Sequence, residues 1–183
     1  ENDSYMWAPY QKSSALDGFT DSIMLGNAIY ESKFSALHDA LVNPRMEFTP
    51  GDTVPVDSLA KYASGETGGK EVTYARYWHG YLVVLRPLLL FFNLGEIQQL
   101  NSLVILIYMV LISILLYRRK KSGYIIPYLL ACTYMTPMTI SVSLQNSTVF
   151  HTASIALIVL LICYDKKWFQ NNIWIYFMLT GML

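Results

Sequence analysis

The feature that most constrains this chain is a 20-residue stretch, 98–117 (QQLNSLVILIYMVLISILLY), which contains no charged residue. As an α-helix it would be roughly 30 Å long, which matches the hydrocarbon core of a bilayer. Segments 123–143 and 148–164 are also apolar enough to span, and 173–183 begins a fourth span that is cut short. The sequence therefore predicts a mainly α fold, a polytopic α-helical membrane protein. We expect this piece to be truncated at both ends.

The basic residues indicate how these segments cross the membrane. Arg118–Lys121 (RRKK) follows the first segment and Lys166-Lys167 follows the third, whereas the loop around Asn146 has no basic residue. Because basic loops stay in the cytoplasm, Asn146 is expected outside and 98–117 should run from outside to inside. We therefore expect an integral protein of the plasma (inner) membrane, with residues 1–97 extracytoplasmic and the bilayer as a partner.

The distribution of charged residues also changes at residue 98, where the first apolar segment begins. Residues 1–97 hold seven Lys/Arg and twelve Asp/Glu, whereas residues 98–183 hold six and one, so the neutral total conceals two different environments. Neither part has the dense basic patch that nucleic-acid binding requires, and no nucleic acid is predicted. Residues 1–76 are predicted to form an extracytoplasmic, α-rich loop region with a helix over Thr20–Phe34, and Glu47–Val56 is rich in turn-forming residues.

Residues 77–93 form a distinct segment, whose short apolar stretches are interrupted by Arg86-Pro87. A charge at the centre of the bilayer costs ~2.5–3.5 kcal/mol, and a residue before proline is disfavoured in a helix. The segment is therefore predicted to be an interfacial or re-entrant helix. If it spanned the membrane instead, residues 1–76 would lie in the cytoplasm.

Three basic side chains of this region are candidates for substrate binding. Arg76, His79 and Arg86 fall within about a quarter turn of one another on a helical wheel. Arginine binds phosphate with two parallel hydrogen bonds, so the stripe could hold the phosphate of a lipid-linked substrate. The alternative is that these side chains extend to phospholipid headgroups beside ordinary interfacial aromatic residues.

Asp21, with Asp17 four residues before it, is the candidate catalytic group. A carboxylate at the membrane surface could accept a proton from an acceptor hydroxyl. The alternative is structural, since acidic residues favour the first turn of a helix and Asp17 suits the turn before Gly18. The histidines lack the spacing of a metal site, so neither a metal nor a cofactor is predicted.

The order of parts resembles the GT-C superfamily of membrane glycosyltransferases: a large first extracytoplasmic loop with an early acidic residue, then membrane-surface helices, then closely spaced spans. The resemblance covers about residues 5–120. It implies that Asp21, or alternatively Asp17, is the catalytic acid of that loop, and that Arg76, His79 and Arg86 lie where the lipid-phosphate donor is held. The adjacent acidic pair typical of some members is absent, because Ser22 follows Asp21.

The predicted function is transfer of a sugar from a polyprenyl-phosphate-linked donor to an acceptor at the extracytoplasmic face. Two alternatives belong to other classes: a transporter or lipid-handling membrane protein, and a non-catalytic membrane assembly subunit. Residues 98–164 place no acidic residue inside a span, so the sequence shows no ion-coupled transport path.

Overall fold

The computed structural model describes residues 18–31, 35, 38–39, 42–48, 55–73, 80–134 and 140–182. These residues form eight α-helices and one two-stranded sheet, so the predicted mainly α class is confirmed. They fall into two compact units, one within Glu1–Leu94 and one within Gly95–Leu183, here called the N-terminal and C-terminal units.

The N-terminal unit is built around its first helix. Its elements are α1 (Gly18–Ile29), β1 (Pro44–Glu47), α2 (Pro55–Ala63), β2 (Lys70–Thr73) and α3 (Leu82–Leu89). Helix α1 contacts α2, α3 and β1, and it buries Ile23 and Met24 in the interior of the unit. The apolar face of α1 therefore carries much of the core around which the shorter elements assemble.

Helix α1 differs in its bounds from the predicted helix over Thr20–Phe34. It begins two residues earlier, where the Ser22 hydroxyl donates to the Gly18 carbonyl at 2.5 Å. It ends at Ile29, and the next residue, Tyr30, donates a hydrogen bond to Glu71 Oε2 at 2.5 Å. A long-range contact thus accompanies the end of this helix, and local residue patterns contain no sign of it.

The small sheet was not predicted. Strands β1 and β2 pair antiparallel, with Pro44 opposite Thr73 and Glu47 opposite Lys70. Four-residue strands are too short for alternation of apolar and polar residues to identify them. The turns between α2 and β2 use Gly65 and Gly68, whose φ angles of 81° and 103° favour glycine.

Helix α3 contains the Arg86-Pro87 pair inside the segment predicted to be interfacial or re-entrant. Its eight residues rise about 12 Å, which is less than half of a hydrocarbon core of about 30 Å. Pro87 has no N–H to donate to the preceding turn, and the helix ends two residues later at Leu89. As an isolated element, α3 is too short to cross a bilayer.

The C-terminal unit contains the long helices. Its elements are α4 (Leu94–Arg118), α5 (Ile125–Tyr134), α6 (Leu144–Cys163), α7 (Lys167–Asn171) and α8 (Ile173–Met182). Helices α4 and α6 are long and apolar enough to cross a membrane, and each begins four residues before the predicted span. Only 17% and 22% of their most apolar stretches are buried, so neither resembles the core helix of a soluble protein. Within 123–143, residues 135–139 lie outside the described part.

Helices α4 and α6 run in the same direction, because contacts join their corresponding ends. At their N-terminal ends lies a polar layer, made of Gln98, Asn101, Ser102, Ser141, Ser147 and His151. In this layer the Ser102 and Ser141 hydroxyls are 2.7 Å apart, and Asn101 Oδ1 lies 3.3 Å from His151 Nε2. At the other ends, Arg119 Nη1 lies 2.5 Å from Asp165 Oδ2. Both basic segments therefore lie at the same end of the unit.

Apolar side chains fill the space between these two ends. Ile105 on α4 packs with Cys132 on α5 and Phe150 on α6, and all three are buried. Farther toward the basic end, Ile112 and Leu116 pack against Leu161 of α6. Helix α5 thus contributes to the contact between α4 and α6 as the element that returns along them.

The polar layer generates a stability prediction for two serines of α4. Ser102→Ala removes a hydroxyl that contacts Ser141, whereas Ser113→Ala removes one that donates only to its own helix, at Met109 O. A buried hydrogen bond within a protein contributes about 1 kcal/mol, so we expect Ser102→Ala to lower the melting temperature of the purified protein more than Ser113→Ala. Equal melting temperatures for the two variants would show that the layer adds nothing between helices.

Candidate functional site

Arg86 is the predicted site residue with the best-defined contacts. Its Nη2 donates a 2.9 Å hydrogen bond to the carbonyl of Asn27, in the last turn of α1. The carbonyl end of a helix carries partial negative charge, so a guanidinium is favourable at this position. The contact joins α3 to α1 across 59 residues of sequence and determines where the charge of Arg86 lies.

Next to Arg86 the N-terminal unit forms an open cleft with a volume of about 510 Å³. The end of α1 and the residues after it line one side (28–31), and Arg86, Pro87, Leu89 and Leu90 line the other. Arg86 Nε is buried and has no hydrogen-bond partner among the described residues. The cleft thus combines an apolar wall with one cationic side chain, and exposed Glu31 adds an opposite charge at the rim.

Asp21 lies in the first turn of α1 and is half-buried. It precedes Asn27 by six residues, which corresponds to about 9 Å along the helix axis. The structure therefore places Asp21 and the contact of Arg86 toward opposite ends of the same helix. The other predicted site residues, Asp17, Arg76 and His79, lie outside the described residues.

A tyrosine pair beside the cleft was missed by sequence reasoning. The Tyr30 hydroxyl donates to Glu71 Oε2 at 2.5 Å, and the rings of Tyr30 and Tyr62 are 5.7 Å apart. Burial, and next the hydrogen bond to the Glu71 carboxylate, raise the pKa of Tyr30 to about 12. Tyr62 and Glu71 follow Tyr30 by 32 and 41 positions in the sequence, and no motif connects them to it.

Asn27 is a second residue that sequence reasoning missed. Its side chain is 0% exposed, and neither of its amide atoms has a hydrogen-bond partner in the described part of the chain. A buried amide without partners costs free energy, so it marks a position where α1 is sensitive to change. Across the described ranges, no three His, Cys, Asp or Glu side chains are placed to share a metal ion.

Replacing Arg86 tests its role in joining α1 to α3. Arg86→Ala removes a charged hydrogen bond and leaves the Asn27 carbonyl without it, which should cost about 1–3 kcal/mol of stability. Arg86→Lys keeps the charge and should cost less. As a control, Arg118→Ala removes an exposed arginine and should change stability by less than about 0.5 kcal/mol. Thermal unfolding of the purified chain would measure all three, and equal effects of Arg86→Ala and Arg118→Ala would contradict the structural role.

The tyrosine pair predicts a pH dependence. An unfolded tyrosine has a pKa of about 10, so the raised pKa of Tyr30 stabilises the fold fully below that pH. This contribution is lost as the pH rises from about 10 through about 12, because the phenolate can no longer donate to Glu71. Tyr30→Phe should therefore be less stable than wild type at neutral pH, and this difference should shrink above pH 10.

Melting temperatures measured across that range would test this dependence. Tyr117→Phe, at a position that is 71% exposed, serves as the control and should follow the wild-type curve. A constant difference between wild type and Tyr30→Phe from pH 8 to 12 would refute the coupling.

No protein-family model, curated protein or solved structure matches this chain. The resemblance to the GT-C superfamily stays a prediction from the order of parts.

Proposed function

We propose that this chain is part of an integral membrane protein. The support is the exposed apolar surface of α4, where Leu106, Val110 and Ile114 recur at helical spacing and are 57%, 61% and 49% exposed. Helix α6 has a similar surface, and neither helix carries a charged side chain between its polar ends. Apolar surface of this extent is stable in lipid and unfavourable in water.

The proposed orientation follows from the shared end of the basic segments. Arg118–Lys121 and Lys166-Lys167 would lie at the cytoplasmic face of the plasma (inner) membrane. The polar layer would then lie near the extracytoplasmic face, together with the N-terminal end of α4. Residues 1–97 precede that end, so they would be extracytoplasmic.

For the whole protein we propose a glycosyltransferase that moves a sugar from a polyprenyl-phosphate-linked donor to an acceptor at the extracytoplasmic face. The observation that carries this proposal is the cleft beside Arg86. It places the half-buried, positively charged Arg86 next to an apolar wall that ends at Leu90, which is 79% exposed. A polyprenyl phosphate has the same two parts, an anion and an apolar chain.

In this proposal the residues have separate roles. Arg86, with Arg76 and His79, would bind the donor phosphate, and the Asn27 carbonyl would hold the Arg86 guanidinium in place. The acceptor hydroxyl would attack the anomeric carbon as the bond to the phosphate oxygen breaks. Asp21, or Asp17 instead, would accept the hydroxyl proton, and the basic residues would stabilise the charge on the departing polyprenyl phosphate.

A transporter or lipid-handling protein and a non-catalytic assembly subunit are the competing proposals. The observation that favours a non-catalytic role is the bond from Arg86 to Asn27, because it gives this arginine a structural purpose without any substrate. Both competing proposals leave Asp21 without a chemical role. Replacement of Asp21 therefore separates them from the transferase.

The test compares two aspartates that each lie in the first turn of a helix, Asp21 half-buried and Asp57 exposed. Asp21 lies in the first turn of α1 and Asp57 in the first turn of α2, so each loses the same helix-dipole interaction when replaced by Asn. In membranes containing the full-length protein, Asp21→Asn should reduce sugar transfer from a polyprenyl-phosphate donor by about 100-fold or more, as expected for loss of a general base. Asp57→Asn should leave transfer unchanged.

Asp17→Asn distinguishes the two candidate bases, since only the residue that accepts the proton should show the large loss. Unchanged turnover in both Asp21→Asn and Asp17→Asn, at wild-type protein levels, would exclude this catalytic role.

A further inference from the structure

The Arg119–Asp165 contact assembles a basic surface from two distant segments. Arg119 Nη1 lies 2.5 Å from Asp165 Oδ2, its Nη2 donates to the Ile162 carbonyl at 2.7 Å, and its guanidinium lies 5.1 Å from the centre of the Tyr164 ring. These contacts use Arg119 within the protein and bring the segment after α4 next to the segment after α6.

The remaining cations of both segments are exposed. They define the basic surface, which consists of Arg118, Lys120, Lys121, Lys166 and Lys167. None of the five is in an ion pair within the described part of the chain. The hydrogen bond from Arg119 lowers the pKa of Asp165, so this carboxylate is ionised at neutral pH and is the partner of Arg119. The surface therefore carries five positive charges that the described residues do not neutralise.

Exposed aromatic side chains border the basic surface. Tyr117, Tyr124 and Trp168 are 71%, 63% and 59% exposed, and each lies within three residues of one of the five cations. Tyrosine and tryptophan concentrate at the level of lipid headgroups, where one part of the ring is apolar and the other is hydrated. Aromatic and basic residues together thus indicate the depth at which the apolar helices meet the headgroups.

Helix α7, in the second half of the surface, packs against α8 through Phe169. Phe169 on α7 is 3% exposed, and its ring lies 5.3 Å from that of Tyr176 on α8. The Tyr176 hydroxyl in turn donates to the Ala156 carbonyl of α6 at 2.7 Å. Because α7 is anchored on its apolar side, the backbone that carries Lys166, Lys167 and Trp168 is held next to the end of α6.

We propose that the basic surface is a binding site for the headgroups of anionic phospholipids in the cytoplasmic leaflet. The inference rests on the proposed membrane insertion and not on the glycosyltransferase reaction. Each Lys or Arg near an anionic bilayer contributes about 1 kcal/mol of attraction. The five cations lie at the end of two exposed apolar helices, so lipid phosphates would be present at their depth without any further recruitment.

The full-length protein, purified in mild detergent with mixed phosphatidylglycerol and phosphatidylcholine, tests this proposal. Native mass spectrometry gives the ratio of the two lipids retained on the protein. We expect wild type to favour phosphatidylglycerol. The variant Lys120→Gln/Lys121→Gln/Lys166→Gln/Lys167→Gln should reduce that preference by about fivefold or more. Replacement of the same four lysines by arginine should preserve it, because the charge is kept.

Lys61→Gln/Lys70→Gln removes two lysines of the N-terminal unit; it is the control for loss of positive charge elsewhere and should retain the wild-type preference. An equal retention of both lipids by wild type, or an unchanged preference in the glutamine variant, would overturn the proposal. Displacement of phosphatidylglycerol from the wild-type protein by added RNA or by an added acidic peptide would overturn it too. Because the readout is lipid retention, its result is independent of sugar transfer by the Asp21 variants.

Discussion

The parallel arrangement of α4 and α6 is the constraint on which the C-terminal unit depends. Two consecutive long helices can run in the same direction only if the chain between them returns along their length. The segment that contains α5 makes this return, and Cys132 on α5 packs with Ile105 and Phe150. The same arrangement brings the ends of α4 and α6 together in pairs, which creates the polar layer at one end and the Arg119–Asp165 contact at the other.

The distribution of polar groups along these helices has a direct physical meaning. Hydrogen-bonding side chains between helices contribute specificity in lipid, where apolar packing alone distinguishes poorly between neighbours. The polar layer therefore determines which faces of α4 and α6 meet. The apolar cluster of Ile112, Leu116 and Leu161 fills the space between the two helices farther along their length. The outward faces remain apolar, as exposed Val110 illustrates, and this difference between inner and outer faces supports the membrane proposal.

In the N-terminal unit, α1 supports both the fold and the candidate site. Its buried residues hold α2, α3 and β1, and its last turn provides the carbonyl that positions Arg86. The arginine that would bind a donor phosphate thus also contributes to the fold. A change in activity after its replacement therefore needs a stability measurement beside it, whereas Asp21 lies at the other end of the helix and can be tested separately.

The sequence by itself determined the helical class, the two long apolar helices and the position of Asp21 in a first turn, because these depend on local composition and helical periodicity. It left the short strands unrecognised and gave no sign of the contacts from Tyr30 to Glu71 or from Arg119 to Asp165, since each joins residues more than 40 positions apart. Only the tertiary structure decided that Arg86 faces the end of α1, because the direction of a side chain depends on which helix packs beside it. The basic surface likewise depends on the tertiary structure, because its two segments follow α4 and α6 and are brought together only where these helices end side by side.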